Sequence, residues 1–146
     1  MSKRDGGLRQ LFRLHLPQVD WQSIETFLTG PGVPDSNGCY NGTEFWVEFK
    51  QTTAYAVVLR PEQIAWGMRR ERHGGRVFVA IRRHCDAGIR RVACDELWLV
   101  PVKYSVTLAR GGLKELSKIS EVYDWPDGPS KWDWNEVLRV LLQVNK

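Results

Sequence analysis

The sequence predicts a mixed α/β fold, a central sheet with helices packed against it, from three observations. The chain has 146 residues, enough for one hydrophobic core and not two. Asn41-Gly42, the dipeptide that best tolerates positive φ at both central turn positions, separates two strand-like arms. Between Pro61 and Gly74-Gly75 a helical pattern gives way to the nearly continuous apolar run Arg76–Arg82, the form of a central, buried strand.

Leu8, Leu11, Phe12, Leu14 and Leu16 give residues 7–16 one apolar helical face, and Pro17 stops the helix. Trp21–Leu28 reads as a strand, and Thr29-Gly30-Pro31-Gly32 as a turn-rich connection. Val33–Tyr40 and Thr43–Thr52 are the hairpin arms, the second rich in aromatic and β-branched residues. Pro61 opens a helix carrying Ile64, Ala65 and Met68 on its apolar side. After a polar loop over 84–93, Glu96–Pro101 and Tyr104–Leu108 read as strands. Leu113–Lys118 reads as a short helix, Asp124–Ser130 as a loop and Trp132–Val144 as a final helix. The order is αβββαβ with additions, one domain over 1–146 with a core over about 7–110 and a helical extension over about 111–146.

Composition excludes whole classes. With 42% hydrophobic and 26% charged residues the chain is neither a disordered tail, a collagen-like repeat nor a coiled coil. No apolar run approaches the roughly 20 residues that span a bilayer. Met1–Gly7 has no hydrophobic stretch behind its charges, so the expectation is a cytoplasmic, intracellular chain without a membrane partner. Cys39, Cys85 and Cys94 lack zinc or redox spacing and read as reduced thiols, Cys94 as a core residue. His15, His73 and His84 are too scattered for a zinc set.

The net charge is +4, but its distribution says more. Residues 60–91 hold nine arginines against Glu62, Glu71 and Asp86, whereas residues 17–59 hold five acids against Lys50 alone. An acidic segment beside an arginine-rich one suits a metal site next to a phosphate-binding surface, and equally a solvated arginine-rich helix face.

The chemistry concentrates on the hairpin. A period of two puts Trp46, Glu48 and Lys50 on one face of the second arm and Val47 and Phe49 on the other. Glu48 and Lys50 then lie roughly 7 Å apart along the strand. The Asn41-Gly42 turn can bring Asp35 near Glu48, and two carboxylates so close need a cation or a shared proton. Hard oxygen ligands without His or Cys point to Mg²⁺ or Mn²⁺. A lysine beside them can orient a water or neutralise charge on a phosphate, which suits metal-assisted hydrolysis of a phosphodiester.

Pro34-Asp35 followed by Glu48-Phe49-Lys50 resembles the PD-(D/E)XK nuclease signature. The wider string is Gly32-Val33-Pro34-Asp35, Trp46-Val47-Glu48-Phe49-Lys50, Leu59-Arg60-Pro61-Glu62-Gln63 and Gly74-Gly75-Arg76. Over residues 20–83 it resembles the VRR-NUC and Holliday-junction-resolvase branch of that superfamily. The resemblance implies a restriction-endonuclease-like mixed central sheet with flanking helices and C-terminal additions. It also implies that Asp35, Glu48 and the backbone carbonyl of Phe49 bind the metal, that Lys50 positions the attacking water and that Gln63 faces the site. Relatives carry a glutamate on the first helix. Here that helix offers only Gln10, and Glu25 is the nearest acid to serve as third metal-side carboxylate.

Arg60, Arg69, Arg70, Arg72 and Arg76 are then candidate phosphate contacts, with Arg69, Arg72 and Arg76 at helical spacing. The same residues admit plainer roles: Asp35 opening a turn, Glu48 and Lys50 solvated on a strand, Gln63 capping a helix. The expected activity is a magnesium-dependent endonuclease for branched double-stranded DNA, a Holliday junction resolvase acting on four-way junctions in recombination and repair. The rivals are a nuclease for flaps, nicks or duplex DNA and a catalytically silent DNA-binding module. The apolar series in the last helix either packs on its own domain or pairs chains. Cutting two symmetric strands favours a homodimer.

Overall fold

A computed structural model describes residues 5–24 and 30–143. Its described elements are α1 (Leu8–His15), β1 (Asp20–Ser23), β2 (Ser36–Tyr40), β3 (Thr43–Thr52), α2 (Pro61–Arg72), β4 (Val77–Cys85), β5 (Cys94–Pro101), α3 (Ser105–Gly111), β6 (Tyr123–Trp125) and α4 (Trp134–Leu142). The protein is mixed α/β, a six-stranded mixed sheet with four α-helices among the described residues. The strands lie side by side in chain order. All neighbours are antiparallel except β3 and β4, which run parallel across the α2 crossover. None of these helices is long and apolar enough to cross a membrane.

Strand alternation sorts the core into two layers. Phe45, Val47 and Phe49 of β3, Phe78 and Ala80 of β4, and Leu97 and Leu99 of β5 face α1 and α4. Their neighbours Val79, Ile81, Trp98 and Val100 face the α3 side. Val77 joins Trp66 of α2 and half-buried Trp46 on that second face. Every one-residue step thus changes layer, and Glu48 and Lys50, two residues apart, both fall on the α2 face.

Local chemistry explains the hairpin and the crossover. Asn41 and Gly42 take φ of 48° and 82°, the mirror-image turn whose twist matches paired strands. Gly32 takes φ 87°, and a Cβ there would come within 2.1 Å of the Glu62 carbonyl oxygen, so only glycine lets the Gly-Pro-Gly loop press on the first turn of α2. That contact draws Pro34-Asp35 and Gln63 together.

Several expectations change. The strand expected over Trp21–Leu28 is present at Asp20–Ser23, and Glu25 lies outside the described residues. Tyr104–Leu108, which alternates like a strand, is helical: a 3₁₀ turn over Val102–Tyr104 leads into α3, whose Ser105 and Leu108 are buried three residues apart. The helix expected over Leu113–Lys118 is one 3₁₀ turn, Leu113–Leu116. The expected helical extension supplies β6, hydrogen-bonded to β5. The final helix starts at Trp134, because the Asp133 side chain accepts the Glu136 N–H at 3.1 Å and fixes the cap there. Its Val137, Leu138, Val140 and Leu141 are buried in the chain's own core, so that apolar face is filled from within. Of the facing thiols, 2.9 Å apart across β4 and β5, Cys85 is the buried one; Cys94, expected in the core, is half-exposed, and burial still raises its pKa.

Candidate metal and phosphate site

The ladder between β2 and β3 ends at Ser36 and Val47, while β3 runs on to Thr52 with only β4 beside it. The edge of residues 48–52 is therefore open, and a cleft of about 750 Å³ lies along it. Asp35 sits where β2 begins, and its Oδ2 accepts the Phe49 N–H at 3.0 Å. This satisfies a strand donor that has lost its partner. The carbonyl of a strand residue projects to the same edge as its N–H, so Phe49 also turns an oxygen to the cleft.

Glu48 is buried beside Asp35, within side-chain hydrogen-bond reach. Burial and the Asp35 charge push its carboxyl from 4.5 up to about 8, and Lys50, 3.6 Å away, only partly offsets them. The Gln63 Nε2 donates to Glu48 Oε2 at 3.0 Å. Its Oε1 accepts both Lys50 Nζ at 3.2 Å and the Arg60 N–H at 3.0 Å. Gln63 therefore caps α2 and also ties the acid to the lysine. The capping role that competed with the site role is the means by which the residue is aimed.

The structure brings together Asp35, Glu48, Phe49, Lys50 and Gln63, with Arg60 on the cleft wall. The remaining arginines part company. Arg69 and Arg72 are exposed on α2, roughly 9–14 Å along its axis from Gln63. Arg70 lies over the rings of Trp46 and Trp66, at 5.3 and 4.8 Å. Arg76 does not extend the row. The helix ends at Arg72, Gly74 turns the chain with φ 87°, and Arg76 donates to the Leu141 and Val140 carbonyls at 2.7 and 3.1 Å. It closes the C-terminal end of α4, so two of its donors are committed inside the fold.

Of the opposite wall only Gln10 is named by the sequence, and that through the resemblance; Asp5 and Arg9 are not. Asp5, Arg9 and Gln10 line the cleft from the start of α1. Asp5 accepts the Gly7 and Arg9 N–H groups at 2.9 and 3.2 Å. An aspartate just before an amphipathic run was a readable start signal for the helix, but nothing local aims that helix end at a strand edge.

Among the described residues no three His, Cys, Asp or Glu side chains gather at one point. Two carboxylates and a strand carbonyl are nonetheless hard oxygen donors for one Mg²⁺ or Mn²⁺. Burial first, and the Asp35 charge second, raise the Glu48 pKa, so the pair holds a proton where no cation is bound. The donor set fits one such ion. Compared with known proteins, the chain matches no family model and no curated sequence.

Proposed function

We propose that this chain is a divalent-metal-dependent endodeoxyribonuclease with a restriction-endonuclease-like core, acting on branched DNA as a Holliday junction resolvase. The observation that carries the reading is the pair Asp35 and Glu48 at an open strand edge, with Glu48 held up to about 8 despite Lys50 at 3.6 Å. Such a pair accepts a proton or a cation, and a cation beside a lysine and flanking arginines suits a phosphodiester.

A bound divalent ion supplies Lewis-acid polarisation of the phosphate and activation of water. Asp35, Glu48 and the Phe49 carbonyl would hold it, and Glu48 would give up its proton to do so. Lys50, held by Gln63, orients the attacking water and meets charge developing on the phosphate. Arg9 and Arg60, from opposite walls, bind the flanking phosphates. The products are a 5′-phosphate and a 3′-hydroxyl. One cleft per chain makes a symmetric junction cut the work of a homodimer.

A second reading has its own observation. The apolar face of α4 is filled inside the chain and is not available to join two copies. A single chain acting on flaps, nicks or duplex DNA needs no partner. Incubation with labelled four-way, flap and linear DNA, with and without Mg²⁺, separates the readings. Paired symmetric nicks in the four-way junction support resolution, cutting of flaps or linear DNA supports the rival, and no Mg²⁺-dependent cutting of any substrate sinks both.

A further inference from the structure

The hairpin between β4 and β5 departs from ordinary turn chemistry. Its tip is a two-residue turn closed by Gly88 N–H to the Arg91 oxygen at 3.0 Å and Arg91 N–H to the Gly88 oxygen at 3.1 Å. Ile89 and Val92 are 96% and 86% exposed, the two most exposed large apolar side chains among the described residues. Between them Arg90 takes φ 61°, a conformation that glycine or asparagine adopts at lower cost. Below the tip the stalk is braced. Arg82 grips Asp95 at 2.8 and 2.7 Å, and Arg83 grips Glu96 at 2.8 and 3.2 Å. Arg91 also donates to the Asp86 carbonyl at 2.9 Å. A stalk braced below the Cys85–Cys94 pair thus presents two bare aliphatic side chains and an arginine.

Register places this tip relative to the cleft. Lys50 is level with Ile81 across the parallel β3–β4 ladder, and β4 continues beyond the end of β3. The cleft extends the same way, past Gln51 and Thr52. At about 3.3 Å per residue, Gly88 lies roughly 20 Å beyond the Lys50 row. That span is about six base pairs of a duplex whose phosphate backbone enters the cleft.

We infer that the tip is a DNA wedge, on the premise of the nuclease reading above. Ile89 and Val92 press on sugars and base edges in the minor groove about six base pairs from the phosphate in the cleft, and Arg90 enters that groove. Phosphate contact alone would need basic side chains and no aliphatic ones. The combination of arginine with a bare apolar wedge is what minor-groove binding uses. A second copy of the chain fits less well, because a two-fold contact through this tip would set Arg90 and Arg91 against their own copies.

The test uses the full chain in EDTA, so that DNA stays intact, with a four-way junction whose arms extend well past six base pairs. The variants are Ile89→Ser with Val92→Ser, and Arg90→Gly alone. Expected are about a tenfold loss of affinity for the double variant and about a threefold loss for Arg90→Gly. A hydroxyl-radical footprint should show a protected minor-groove patch about six base pairs from the Mg²⁺-dependent cut, lost in the double variant. Arg90→Gly should keep or raise the melting temperature, since glycine suits this φ, which separates lost contact from lost fold. Variants that bind and protect like the unaltered chain overturn the wedge and leave the nuclease reading intact. An unaltered chain that neither binds nor cuts DNA overturns both. Variants that change sedimentation but not DNA affinity make the tip a contact between copies and overturn the wedge.

Discussion

Glu48 on β3 and Glu96 on β5 lie on the same face of the sheet, each half or more buried and each beside a basic side chain. Arg83 grips Glu96 with two hydrogen bonds, and Trp98 Nε1 adds a third at 2.9 Å. Burial alone would raise the Glu96 pKa, but these donors outweigh it and leave the carboxyl below its ordinary value. Glu48 is more deeply buried, has a second carboxylate for a neighbour and receives one amide hydrogen bond, with its lysine at 3.6 Å. Its carboxyl rises to about 8. Similar residues on one surface thus give a closed structural pair in one place and an unbalanced acid in the other. The imbalance, and not the presence of charge, marks the site.

The largest expected effect separates the two in function. Glu48→Gln should lower Mg²⁺-dependent cleavage of labelled DNA by about a thousandfold or more while DNA is still bound, whereas Glu96→Gln should cut almost normally below its melting temperature. Retained cleavage in Glu48→Gln would contradict the assigned role. Next in size, Lys50→Met should cost about a hundredfold in single-turnover rate at saturating DNA.

Stability should run the other way. Glu96→Gln removes a gripped carboxylate and leaves Arg83 half-satisfied, and denaturant titration should show a loss of about 2 kcal/mol. In metal-free buffer, folded Glu48 holds its proton more tightly than the unfolded chain does. Its contribution to stability should therefore fall as pH rises from 4.5 to about 8 and level off above. Glu48→Gln should flatten that segment of the melting-temperature profile, and a profile unchanged by the substitution would show that Glu48 is not the group responsible. Glu96, lowered on folding, contributes above the ordinary carboxylate range and loses that contribution on acidification. The smallest effect belongs to the outlying arginines. Arg69→Ala and Arg72→Ala should each reduce the slope of log affinity against log salt by about one, without altering the cut position.

The candidate site was legible where its geometry is local. A two-residue turn fixes the hairpin register, and a period of two assigns Glu48 and Lys50 to one face, so both follow from a dozen neighbouring residues. The capping position of Gln63 was legible for the same reason, since Pro61 sets the first turn of α2, whereas its place at the site was implied only by the resemblance. The arginines were not, because a count of charge ignores partners. Arg76 serves α4, 64 and 65 residues away, Arg82 and Arg83 serve β5, and Arg70 lies on two indoles. The loop expected over Asp124–Ser130 overlaps β6, because Tyr123-Asp124-Trp125 is too short to carry a period and pairs only because β5 offers a free edge.

By itself the sequence determined the mixed α/β class, the hairpin with its facing acid and lysine, and the crossover helix, since turn chemistry and side-chain periodicity act within a few residues. Only the tertiary structure decided that β3 outruns β2 and opens an edge, that the start of α1 forms the second wall of the cleft, and which arginines remain free. Those outcomes depend on pairings between residues far apart in the chain, where burial and the need to satisfy every polar group choose among partners that no local pattern distinguishes.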